Sequence, residues 1–208
     1  KNPDGRPDYF DELLERIRDI RASEKRFYQK VRDLFALSSD YDTTDKATQM
    51  FFAETQNKLL YAVTHKTAAE IIFSRADASQ PNMALSNWKG NAVRKQDIVI
   101  AKNYLSEDEI DTLNRLVVIF LETAELRVKN RIDVTMDFWR TNVDGILTFN
   151  DKKVLQGKGT ISKAMMEKKV KEIYALFDKK RKTYEAEQAD IQDLRELQTL
   201  EAKIKKKI

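Results

Sequence analysis

Between Gly159 and the C-terminus the chain has neither glycine nor proline, and almost every residue in that stretch favours a helix. At about 1.5 Å per residue, an uninterrupted helix of some 45 residues is longer than a compact domain is wide. No sheet architecture accommodates such a run. It is also typical of the whole chain, which has five glycines and three prolines in 208 residues and 35% charged side chains. Long charged helices follow from that composition, and a turn-rich sheet does not.

The apolar spacing agrees. Phe10, Leu13, Ile17, Ile20, Phe27, Val31 and Leu34 recur at intervals of three, four or seven and predict one helix over residues 8–37. "SSDYDTTD" (38–45) is dense in capping residues and predicts a stop and restart. A second helix follows over 44–64, built on Phe51, Phe52, Leu59, Leu60 and Val63. "SEDE" (106–109) is a capping box that opens a helix ending near Arg131. Another helix covers 134–149 around Trp139. "DIVIA" (97–101) reads equally as a short strand or a helical turn. The expected fold is all-α: a helical bundle, residues 1–160, with one irregular corner at 65–105, followed by a long charged C-terminal helix, residues 161–208.

The C-terminal run has two halves. Val170, Ile173, Leu176 and Phe177 form an apolar face in the first. Ile191, Leu194, Leu197, Leu200 and Ile204 form a thin stripe in the second, with charge on every other side. A thin stripe suits packing against one partner helix, either the chain's own first helix or a second copy in a coiled coil. The charge is uneven: residues 161–208 hold 13 Lys/Arg against 9 Asp/Glu, and the preceding 160 hold 25 of each.

Several function classes are excluded or weakened. There is no cysteine, hence no disulfide framework, thiolate metal site or cysteine nucleophile; a reducing cytoplasm is the expected compartment. The most apolar run, "LVVIFL" (116–121), is far too short to span a bilayer, so no membrane role is expected. One histidine and scattered carboxylates give no metal-ligand spacing, and no cofactor or small-molecule ligand is implied. "LQGKGT" lacks phosphate-loop spacing.

The rarest residues collect in "HKTAAEIIFSRADASQPNMALSNWKG" (65–90), with the only histidine, one of two tryptophans and one of three prolines. Thr67 and Glu70 form a second capping box. His65 stands at a helix junction, suited to capping. The stretch has a helix-turn-helix rhythm, but its break at 74–82 is too long for the usual turn. Lys89, Arg94 and Lys95 are a basic cluster suited to nucleic acid, with Trp88 available for stacking. No catalytic constellation emerges; an enzyme, if any, would centre on Glu70 and Arg75.

Several segments in order resemble the RhuM family, bacterial proteins common in genomic islands and prophages: "DYFDELLERIRDIRASEKRFYQKVRDLFALSSDYD", "QNKLLYAVTHKTAAEIIFSRAD", "NMALSNWKG", "IAKNYLSEDEIDTLNRLV", "TMDFWRTNVDGILTFN" and "GTISKAMMEKKVKE". Together they cover about 8–172. The resemblance implies virulence or mobile-element association, brings no reaction with it, and makes the chain the expected C-terminal domain of a longer protein. The family pattern has Gly-Leu-Thr where this chain has Ala84, Leu85 and Ser86, and usually Gly in place of His65. Asn57, His65, Thr67, Glu70, Arg75, Trp88, Lys102 and Asn103 are the expected functional corner. The function expected is a non-enzymatic interaction domain with a protein partner or a homodimeric mode, and nucleic-acid binding is the alternative.

Overall fold

The computed structural model describes residues 8–205, with side-chain surroundings through residue 199. Among the described residues there are seven α-helices, two 3-10 turns and no strand. The chain divides into two compact units. The first comprises the chain up to Ile71 together with Leu105–Thr160; the second comprises Ile72–Tyr104 together with the chain from Ile161 onward.

In the first unit, the expected single helix over 8–37 is two helices: α1 (Tyr9–Ala22) and α2 (Phe27–Phe35). The apolar register continues across the gap, so periodicity alone joined them. What separates them is polar: the Ser23 hydroxyl donates to the Ile20 carbonyl at 2.7 Å, and Lys30 donates to the Arg21 carbonyl at 2.9 Å. Both satisfy carbonyls left over at the end of α1 and stabilise its termination there. Helix α3 (Lys46–Thr64) starts where Asp45 accepts the amides of Ala47 and Thr48.

Helix α5 (Glu107–Lys129) is the central element, packed against α1, α2 and α3. Its Leu113, Val117, Phe120, Leu121 and Ala124 are buried, as expected. The Ser106–Glu109 capping box forms with both reciprocal bonds, at 3.2 and 2.9 Å. Helix α6 (Met136–Phe149), capped by Thr135, places Trp139 at the heart of the unit. There the indole meets Phe35 at 5.1 Å and Phe120 at 5.9 Å. The buried carboxylate of Glu125 on α5 is paired with Arg21 at 2.6 Å and Lys129 at 3.3 Å, which offsets its desolvation.

Helix α4 (Ala68–Arg75) straddles the division between the units. In the second unit, the chain from Ala76 to Tyr104 is neither strand nor long helix. It contains a 3-10 turn at Pro81–Ala84 and another at Ala101–Tyr104. "DIVIA" forms turns leading into the second of these. Helix α7 (Lys163–Lys205) runs 43 residues. Ser162 caps it, its hydroxyl accepting the Met165 amide at 3.2 Å. Met166 and Val170 are buried and Phe177 is partly covered, but Leu176 is 60% exposed. From residue 182 to 199 every side chain is exposed. Leu200 and Ile204, the last two positions of the expected stripe, lie outside the residues whose side chains are described. No described helix is long and apolar enough to cross a membrane.

Candidate functional site

The expected corner residues fall into two groups, one in each unit. In the first unit, Asn57, His65, Thr67 and Glu70 surround the N-terminus of α4. A helix start leaves four amides unsatisfied, and here Asn57, Thr67 and Glu70 answer three of them. The Asn57 side-chain carbonyl, from α3, accepts the Ala68 amide at 2.9 Å. The Thr67 hydroxyl accepts the Glu70 amide at 3.4 Å, and Glu70 Oε2 accepts the Thr67 amide at 2.8 Å, closing the capping box. Thr67 is buried.

Glu70 does more than cap. Its Oε1 accepts the Thr160 amide at 2.7 Å and the Thr160 hydroxyl at 2.8 Å. Partial burial raises the carboxyl, but the bonds from Thr160 and Thr67 outweigh it and hold the pKa down at about 2. A carboxylate with both oxygens engaged and so low a pKa is fixed as the anion at neutral pH; proton transfer wants a pKa near the working pH. Gly159 is part of the same knot. Its φ is +79°, and a Cβ there would lie 2.7 Å from Thr67 Cγ2. Gly159 and Thr160 were missed by sequence reasoning, although the glycine-bearing break "LQGKGT" marked where to look.

His65 ends α3 in the left-handed conformation, φ 56° and ψ 28°, with its amide bonded to the Tyr61 carbonyl at 2.9 Å. Glycine is the natural residue at such a helix end. Histidine holds it here at a cost in backbone strain, and its ring is exposed against Tyr61, centroids 6.0 Å apart.

In the second unit, Arg75, Trp88, Lys102 and Asn103 belong with Lys89, Arg94 and Lys95. Arg75 donates to the Tyr104 carbonyl at 2.6 Å. Asn103 is buried; its amide group donates to the Asp97 carbonyl at 2.9 Å, and its own carbonyl accepts the Ser86 amide at 2.7 Å. Asp97, also buried, accepts the Arg94 amide at 2.9 Å, and the Tyr104 hydroxyl donates to the Ile98 carbonyl at 3.0 Å. These bonds lace the irregular chain from Ser86 to Tyr104 together without a ladder. Asp97 and Tyr104 were also missed, since nothing in their local sequence distinguishes a buried hydrogen-bonding role from a surface one.

The sharpest backbone feature is Asn82–Ala84. Three consecutive non-glycine residues have φ of 53°, 58° and 62°. Each left-handed residue costs roughly 1–2 kcal/mol. Complete burial of the Met83 side chain works against that cost, and bonds from the Met83 amide to the Gln80 carbonyl and from the Leu85 amide to the Asn82 carbonyl, both 3.1 Å, close the turn. Glycine is the residue that adopts this conformation without strain, and none of the three positions has it. Trp88 is half-buried, with its indole N–H shielded from solvent and without an acceptor among the described residues. Lys89, Arg94 and Lys95 are exposed.

Among the described residues, no three of His, Asp and Glu gather as a metal site. A groove between α5 and α6 is lined by Ile119, Thr123, Asn142, Ile146 and Phe149. Its polar groups are spent on their own helices: Thr123 donates to the Ile119 carbonyl and Asn142 to the Phe138 carbonyl, both at 2.8 Å.

Neither a curated protein nor a solved structure matches the chain. The sequence profile of the virulence protein RhuM family matches residues 1–185, which takes in both groups of corner residues and α7 through its proximal half. That match spans most of the sequence, and this chain belongs to the virulence protein RhuM family.

Proposed function

We propose that this RhuM-family domain is a cytoplasmic interaction module that acts by binding another protein through the distal half of α7, the simplest partner being a second copy. One observation supports this most. Residues 182–199 are exposed along their whole length, yet they include Ile191, Leu194 and Leu197, which are 42%, 60% and 58% exposed. Large aliphatic side chains at helical spacing, uncovered in the chain itself, are what a second helix would bury. Burying each is worth roughly 1.5–3 kcal/mol.

In the corner, Asn57, Thr67 and Glu70 are committed to holding the start of α4. Light scattering on the intact chain and on a chain ending at Tyr184 tests the reading. A dimer that becomes a folded monomer on truncation is the expected result. Identical monomers of both would overturn self-association and leave capture of a different protein as the mode to pursue.

A further inference from the structure

The net charge of +4 conceals a strong separation. Residues 72–104 and 161–184, the second unit without distal α7, hold 13 Lys/Arg and 5 Asp/Glu, a net of +8. The remainder of the chain holds 25 against 29, a net of −4. The acidic groups of this part are also largely engaged. Asp97 is buried on the Arg94 amide, Asp77 accepts from the Ser79 amide at 2.8 Å, and Asp178 is paired with Arg181 at 2.6 Å and Lys182 at 2.8 Å.

Two basic groups are brought together. In the loop, the Arg94 guanidinium folds over Gly90, so that a Cβ on Gly90 would meet its Nη2 at 3.4 Å. Lys89 precedes that glycine in the chain, and Lys95 follows Arg94. The Tyr174 hydroxyl of α7 donates to the Val93 carbonyl at 3.5 Å, which seats this loop against the helix. On α7 itself, Lys168, Lys171, Lys179 and Lys182 are all exposed. At 3.6 residues per turn they fall within about 80° of arc, on the side away from buried Met166 and Val170, and extend over about 21 Å.

We propose that this loop and helix stripe together bind the phosphate backbone of nucleic acid without choosing sequence. A row of cations on a rigid helix matches a regular array of phosphates, and neutralising it releases counterions. The exposed loop residues from Lys89 to Gln96 are basic, amide-bearing or glycine, with no large apolar side chain to enter a bilayer, while Asn91 and Gln96 add donors for phosphate oxygens. Base reading is not part of the proposal, because the Trp88 indole N–H is shielded. The proposal is independent of association through distal α7.

The experiment is fluorescence anisotropy of the full chain with a labelled random-sequence DNA duplex, with anionic phosphatidylserine vesicles in competition. Affinity should fall on the order of 10³–10⁴-fold between about 50 and 200 mM salt. The triple variant K89A/R94A/K95A, all exposed positions whose circular dichroism should match the wild type, should reduce the logarithmic salt slope by about 2–3. The variant K168Q/K171Q/K179Q should do the same through the helix. The variant R32A/K46A, in the first unit, should leave binding unchanged. No binding at about 50 mM salt, binding indifferent to both sets of substitutions, or release of the duplex by vesicles at equal charge would each overturn it.

Discussion

Glu70 Oε1 accepts the Thr160 backbone amide at 2.7 Å, across 90 positions of sequence. The same carboxylate caps α4 through Oε2, so one side chain both starts a helix and fastens the segment leading to α7. Its pKa of about 2 lies below the ordinary 4.5. A carboxyl depressed by folding stabilises the folded state above its unfolded pKa, and that stability is lost as pH falls through the folded value. The Glu70→Gln variant should therefore lose about 2 kcal/mol at pH 7, after allowance for solvent screening at a partly exposed site. Its deficit relative to wild type should shrink between pH 4.5 and about 2. Urea unfolding at a series of pH values checks this; a deficit constant down to pH 2 would mean that the carboxylate's charge is not what matters.

Gly159 and Gly157 separate two reasons for needing glycine. Both have positive φ, +79° and +84°, but a Cβ at Gly157 would meet nothing within 4 Å, whereas at Gly159 it would run into Thr67. Gly157→Ala should cost about 1 kcal/mol, the strain of the left-handed backbone alone. Gly159→Ala should cost more than about 2 kcal/mol, because a 2.7 Å approach has to be relieved by moving a buried threonine out of its capping position. Comparable losses would show that the Thr67–Gly159 contact relaxes freely.

The opposite substitution stabilises. His65 and Ala84 adopt φ of 56° and 62°, and glycine relieves that strain, though it also frees the unfolded chain. Each of His65→Gly and Ala84→Gly should add roughly 0.5–1 kcal/mol, raising the melting temperature by about 2–4 °C. Thermal melts of the two single variants and the double check it, and the effects should add because the sites share no partner. A drop for His65→Gly would assign the histidine side chain a stabilising contact beyond its ring packing on Tyr61.

These positions also show what was legible in the sequence and what was not. Capping boxes were readable because their partners lie three residues apart, so Ser106–Glu109 and Thr67–Glu70 both formed as expected. The core faces of α3, α5 and α6 followed from helical periodicity for the same local reason. The break between α1 and α2 did not, since Phe10 to Leu34 keep one register across it and the interruption lies in polar side chains that bond carbonyls. Nor did the site partners. Thr160 meets Glu70 from 90 residues away, and buried Asp97 and Tyr104 have nothing around them in sequence that marks burial.

Lys168 and Lys169 are neighbours with opposite surroundings. Lys168 is exposed on the basic stripe of α7, whereas Lys169 donates to the Phe73 carbonyl at 2.9 Å and lies 3.9 Å from the centre of the Phe73 ring. That carbonyl is one of the last of α4, unsatisfied within its own helix, and a cation there also meets the negative end of the helix dipole. The ring adds a cation–π contact. Lys169→Met keeps the aliphatic stem and removes both polar interactions, so it should cost about 1–2 kcal/mol of stability. Lys168→Met should cost under 0.5 kcal/mol, as exposed substitutions do. For duplex binding the ranking reverses: Lys168→Met should weaken it, and Lys169→Met should leave it unchanged at temperatures where the chain is folded. Urea denaturation and anisotropy on the two variants read both axes, and equal loss of duplex binding by both would show that α7 meets the nucleic acid only through net charge and not through the stripe.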